Sequence, residues 1–177
     1  CYKGLYSSHN DKNYFEIAHS LNRQFGSGGI YRNIDTYNFV DNHDVNRLAS
    51  TLRNLEHIYN VYSLLFTMPG VPSVYYGSEW ALTGIKQNGS DAPLRPCLDL
   101  NNLPSSNEKL SAHIGKLARV RKELPALQTG GYEQVIVKNE QLVFKRFQDG
   151  QTVYIALNLA DQEARLDFGM DASKVLV

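Results

Sequence analysis

The sequence predicts an α/β chain that passes into antiparallel β-structure, and three observations carry that reading. In Phe39-Val40-Asp41-Asn42-His43-Asp44, an apolar run with strand character turns abruptly polar, with two carboxylates, an amide and an imidazole in four residues. Across residues 36–76 a strand, a helix and a second strand follow at the spacing of a right-handed parallel crossover. From Tyr132 onward the apolar period changes to two.

The polar tetrad sets the functional expectation. A buried strand cannot hold so many unpaired polar groups, so they belong where the strand opens into a cleft. In a parallel α/β protein that place is the carboxyl end of a strand, where ligands bind. Taken alone, Asp-Asn-His-Asp reads first as an Asx-rich turn capping the next helix.

In chain order, residues 1–12 read as a polar loop. Asn13-Tyr14-Phe15-Glu16 offers a capping pair, and Phe15, Ala18, Leu21 and Phe25 form one helical stripe. Gly26-Ser27-Gly28-Gly29 ends it as a flexible turn. It follows a helix and lacks a Lys-Ser/Thr sequel, so it is no phosphate loop. Residues 36–40 form the strand that carries the tetrad. Leu55, Ile58, Tyr62 and Leu65 share the face of the next helix, which Pro69, Gly70 and Pro72 stop.

Residues 71–76 form the second strand. Residues 77–105 are a long Gly-, Asn-, Ser- and Pro-containing excursion, and loops of that length usually carry function. Ser105-Ser106-Asn107-Glu108 reads as a capping box before the stripe Leu110, Ile114, Leu117, Val120 and Leu124. Pro125 closes that helix and the first domain. Asp149-Gly150 between alternating runs is a hairpin signal, and Ala164, Leu166 and Phe168 extend the alternation.

Composition removes some function classes. Lys+Arg and Asp+Glu both number 18, leaving no net charge to recommend nucleic acid or an anionic membrane. No apolar run approaches the ~20 residues of a membrane span. Eleven Tyr and seven Phe suit sugar stacking as well as a core. Cys1 and Cys97 make no disulfide framework, and their pairing is open.

Phe39 to Asp44, followed by Arg47, resembles the last signature motif of the α-amylase family of glycoside hydrolases. Thr67-Met68-Pro69-Gly70-Val71-Pro72-Ser73-Val74-Tyr75-Tyr76-Gly77-Ser78-Glu79 resembles that family's eighth barrel strand and its approach. The resemblance implies the carboxyl-terminal portion of a (β/α)8 TIM barrel over residues 1–126. Part of an antiparallel all-β domain would follow over residues 127–177. It also places residue 1 inside a barrel, so a chain beginning with Cys reads as an excerpt rather than as a lipid-modified terminus, and the compartment stays open.

The resemblance implies a retaining hydrolase of α-1,4-glucan or maltooligosaccharides, with Asp44 as the carboxylate that stabilises the transition state. His43 would hydrogen-bond sugar hydroxyls near the cleaved bond. Asp91 and Arg95 match a pair that binds sugars on the non-reducing side, although an ion pair that only orders the loop is compatible with both residues. Arg47 is expected at the substrate site, where it would neutralise the nearby carboxylates and hold them ionised, or in an ordinary surface salt bridge. Asp41, Asn42 and Glu79 are expected to be structural, and Trp80 to stack on sugar or anchor the loop. No stretch of residues 1–38 matches the family's nucleophile or acid motifs, so this chain alone is expected to be inactive. No cofactor is expected within it, calcium belonging to the upstream part. The expected partners are the glucan and either the upstream barrel or a second copy of the chain. The rival reading is a non-catalytic glucan- or protein-binding chain of the same fold. Amylase, α-glucosidase and transglycosylase are not separated.

Overall fold

A computed structural model describes residues 2–103, 107–169 and 175–177. Its first element corrects the sequence reading, because Tyr2–Asn10 is a helix (α1) and not a loop. Its inner face is Leu5, Ser8 and His9, all buried, and two of those are polar, so no apolar stripe shows in the sequence. His9 satisfies itself there through Nδ1 on the Leu5 carbonyl and Nε2 near the Tyr14 hydroxyl.

Phe15–Phe25 is α2, opened by the Asn13 side chain, which accepts the Phe15 N–H at 2.9 Å. Its buried stripe is Ile17, Ala18, Leu21 and Phe25; Phe15, expected there, is half exposed one position ahead. The expected strands at residues 36–40 and 71–76 shrink to Tyr37–Phe39 (β1) and Val71–Ser73 (β2). They pair in parallel with Asn38 opposite Pro72, as a crossover unit requires. Asn38 faces the helices and donates to the Pro69 carbonyl at 2.8 Å, whereas Tyr37 and Val71 are 68% and 52% exposed on the other face. Gly70 sits at φ +99° against Thr36 and Asn38, where a Cβ has neither room nor a favourable backbone.

Leu48–Thr51 forms the short α3 and Ile58–Thr67 forms α4, with Ile58, Val61, Tyr62, Leu64 and Leu65 buried. Leu55 lies outside that stripe, exposed in a 3-10 turn. Glu108–Glu123 is α5, whose stripe of Leu110, Ile114 and Leu117 is buried as read. Its cap is Asn107, which accepts the Leu110 N–H at 3.0 Å; Ser105 and Ser106 lie outside the described residues. Pro125 opens a further short helix, Pro125–Gln128 (α6).

Gly131–Val137 (β3), Gln141–Gln148 (β4) and Gln151–Asn158 (β5) form an antiparallel meander. Asp149 and Gly150, both at positive φ, make its tight hairpin. The alternation at Ala164, Leu166 and Phe168 does not become a strand; instead the Phe168 ring packs 5.5 Å from that of Tyr154.

One buried cluster joins α2, α4 and α5 to this sheet, including Ile17, Tyr62, Leu117, Phe144 and Ile155. Arg146 of β4 is fully buried and donates to the carbonyls of Thr67, Leu127, Gly130 and Gly131, which fastens the sheet to the end of α4. Arg121 donates to Phe66 and Gly70 at the same helix end. Cations at a helix carboxyl terminus satisfy its orphan carbonyls and complement its dipole.

Candidate functional site

The site grows from the carboxyl end of β1. Asp41 is 1% exposed, and its Oδ2 accepts the Leu48 N–H and the Ser78 hydroxyl, each at 2.8 Å. Burial is the largest influence on its carboxyl and pushes its pKa up, against those two hydrogen bonds and Arg47. Asn42 accepts the Asp44 N–H at 2.8 Å. The Asx turn and helix cap read from the bare tetrad are therefore both present, made by Asp41 and Asn42. With those two facing the backbone, His43 and Asp44 stand at the rim, their side chains 55% and 56% exposed.

Asp44 is held from two sides. His43 Nε2 lies 3.2 Å from its Oδ2, and an Arg95 terminal nitrogen lies 3.1 Å from its Oδ1. The same nitrogen reaches Asp91 Oδ2 at 3.1 Å, while Arg95 Nε donates to the His43 carbonyl at 3.2 Å. His43, Asp44, Asp91 and Arg95, chosen from residues fifty apart in sequence, thus form one cluster. Asp91 and Arg95 flank a 3-10 turn, Ala92–Leu94, which puts both side chains on one side of it.

Arg47 goes elsewhere. It is fully buried, which departs from the substrate contact or surface salt bridge expected of it. Its guanidinium donates to the Tyr76 carbonyl at 2.5 Å, to Ser78 Oγ at 3.1 Å and to the Leu94 carbonyl at 2.9 Å. It also lies 4.2 Å from the Tyr75 ring centroid. The side chain therefore ties the exit of β2 and the turn before Arg95 to the tetrad from beneath. Exposed arginines carry the same sequence signal, so burial was not legible.

Below the rim lies a buried polar floor. Among the described residues, Asp41 Oδ1, Arg47 Nε and Glu79 Oε2 have no hydrogen-bond partner there, and the Tyr62 phenol shares the floor with them. Both carboxylates act on the Tyr62 phenol, but burial is the leading reason its pKa is pushed up.

Three residues were missed in the sequence. Ser78 is the hinge between Asp41 and Arg47. Asn46 accepts the Lys86 N–H at 2.7 Å. Lys86 Nζ lies 3.1 Å from Asp91 Oδ1 and donates to the Asp44 carbonyl at 3.3 Å. Lys86 had no motif to mark it, only its place in the long excursion.

A recess of about 500 Å³ lies at the amino ends of β1 and β2, lined by Tyr31, Asp35, Gly70, Tyr132 and Phe147 among others. It is away from the rim, at the end that in parallel barrels serves stability rather than chemistry. Among the described residues, no three His, Cys, Asp or Glu side chains gather to hold a metal ion, and no helix is long and apolar enough to cross a membrane.

Residues 17–112 match the family model for the α-amylase catalytic domain, a span that contains every rim residue above. A maltogenic α-amylase of Bacillus acidopullulyticus is 30% identical over 146 residues, covering 80% of this chain and 24% of that protein. A cyclomaltodextrin glucanotransferase of Bacillus licheniformis is 30% identical over 126 residues, 70% of this chain and 16% of that protein. Among solved structures, an Anoxybacillus α-amylase superposes with a TM-score of 0.79 at 25% identity, over 96% of this chain and 37% of that one. The chain thus spans about a quarter or less of the length of these two sequence relatives.

Proposed function

Because the chain belongs to the α-amylase family of glycoside hydrolases, we propose that it supplies one part of a retaining enzyme acting on α-1,4-glucan or maltooligosaccharides. In this reading residues 1–126 are the last strands and helices of a (β/α)8 barrel, and residues 127–177 belong to the following β-domain. The observation that carries the proposal is Asp44, a carboxylate at the carboxyl end of a parallel strand, fixed there by His43 and Arg95. The glucan-related names of the similar proteins support the substrate class.

Glycoside hydrolysis passes through a transition state resembling an oxocarbenium ion. A negative charge preorganised beside it stabilises the developing positive charge. Asp44 takes that part, and His43, Asp91 and Arg95 hydrogen-bond sugar hydroxyls. Arg47 is a positioning residue, since it holds the Leu94 carbonyl one residue before Arg95. The rim carboxylates Asp44 and Asp91 are both engaged by cations. In this reading the nucleophile and the acid are supplied by parts of the enzyme other than residues 1–177. The open face of β1 and β2, with Tyr37 and Val71 exposed, is the surface that the remaining barrel strands or a second copy would cover.

The same engagement favours the rival, a chain that binds glucan or a protein without cleaving. The two separate when the full-length protein is given maltoheptaose and the products are followed by proton NMR. The proposal expects turnover that releases the α-anomer first. Binding without turnover supports the rival, and initial β-anomer overturns retention.

A further inference from the structure

Resting on that reading of the rim as a glucan site, we propose that Lys86 is a further sugar-contacting residue that sets how strongly longer chains are preferred. Its backbone is fixed first. Arg47 N–H donates to the Gly84 carbonyl at 2.9 Å, the Gly84 N–H donates to Ser50 Oγ at 2.8 Å, and the Lys86 N–H donates to Asn46 Oδ1 at 2.7 Å. Residues 84–86 are thereby stitched along residues 46–50, directly after the tetrad. That path brings the Lys86 ammonium over the turn that carries Asp44, 3.3 Å from the Asp44 carbonyl.

Asp91 is then clasped twice: Oδ1 by Lys86 at 3.1 Å and Oδ2 by Arg95 at 3.1 Å. With one cation on each oxygen, Asp91 keeps part of its acceptor capacity for sugar hydroxyls. What Lys86 adds to this side of the rim is donors. An ammonium has three donors and no acceptor, and two of those of Lys86 are directed at Asp91 and Asp44. The side chain remains 50% exposed, which leaves the third donor open to a ligand oxygen. Lys86 therefore belongs with Arg95 as a donor to hydroxyl oxygens of a sugar lying over the long loop, and Asp91 is the anion that holds both cations in place.

The test uses the full-length protein with Lys86→Met and Lys86→Gln, assayed on maltoheptaose and on the shortest substrate it cleaves, with thermal unfolding followed alongside. Loss of one hydrogen bond from a charged donor is expected to lower kcat/KM on maltoheptaose by about tenfold or more. The loss on the shortest substrate is expected to be smaller, and Lys86→Gln, which keeps a donor, is expected to recover part of the difference. Equal losses at both lengths with a lowered Tm overturn the proposal in favour of loop ordering. No loss in either variant overturns it as well. Should Lys86→Met fail to fold, Lys86→Gln against Lys86→Arg gives the same length comparison, and identical length profiles there contradict a sugar contact. Absence of turnover in the unsubstituted protein would instead count against the hydrolase reading itself, before any variant is compared.

Discussion

Arg95 bridges Asp44 and Asp91, with one terminal nitrogen 3.1 Å from a carboxylate oxygen of each. A single guanidinium thus links the strand-end turn that carries the proposed chemistry to the long loop after β2. The two segments are far apart in sequence and meet because β1 and β2 are adjacent parallel strands whose carboxyl ends point the same way.

Arg95→Ala should therefore weaken long maltooligosaccharides more than the shortest cleavable one, and Asp91→Ala should do the same by releasing Arg95. Remote binding energy of this kind is expressed in kcat as well as in KM. Steady-state kinetics over a chain-length series checks this. Uniform losses across the series would show that the pair only orders the loop.

Arg47→Met should cost stability rather than a specific sugar contact. The change strands the Tyr76 carbonyl and leaves the Leu94 carbonyl, held also by the Tyr75 hydroxyl, and Ser78 Oγ, bonded also to Asp41, with one partner fewer each. Each lost partner costs about 1–3 kcal/mol, so a drop of several kcal/mol in denaturant unfolding is expected. An unfolding midpoint equal to that of the unsubstituted protein would mean that the cluster relaxes without it.

Acid should destabilise the amino-terminal helix pair through His9. Its burial comes first, and the charge of nearby His57 adds to it; against the hydrogen bond to Leu5, they pull its pKa from 6.5 down to about 4. The unfolded chain binds the proton and the folded one does not. Stability is therefore complete above pH 6.5 and falls as pH drops toward 4, by roughly 3 kcal/mol over the window. Urea unfolding at pH 7 and pH 5 measures the slope. His9→Gln should flatten it, and an unchanged slope in that variant would assign the effect to other groups.

How much of this was legible depended on whether a residue's partner lay in its own pattern. The stripes of α4 and α5 and the Asp149-Gly150 hairpin were readable because local periodicity or turn chemistry determines them. The tetrad was readable because its polarity contradicts its strand. Helix α1 was not, since its inner face includes Ser8 and His9, whose burial depends on hydrogen bonds made within the folded chain, such as that of His9 to Leu5. Arg47 and Lys86 were misplaced or missed for a related reason. One is buried by carbonyls that come from distant segments, and the other is aimed by Asn46 forty residues earlier. Phe168 alternates like a strand residue, but no neighbouring strand is there to pair with its segment among the described residues.

The 177 residues made alone should be inactive on α-glucan and prone to association. Tyr37 and Val71 stay uncovered, and the two short parallel strands keep open edges. Light scattering together with a hydrolysis assay tests both halves. Turnover above background contradicts the first, and a cooperatively folding monomer contradicts the second.

The central claim is that the Asp44 charge stabilises the transition state, and Asp44→Asn in the full-length protein tests it most directly. The amide keeps the shape and removes the charge. The account predicts a fall in kcat on maltoheptaose of about 10²–10³-fold, with the unfolding midpoint within experimental error of the unsubstituted protein. Undiminished kcat in a folded Asp44→Asn protein would contradict it.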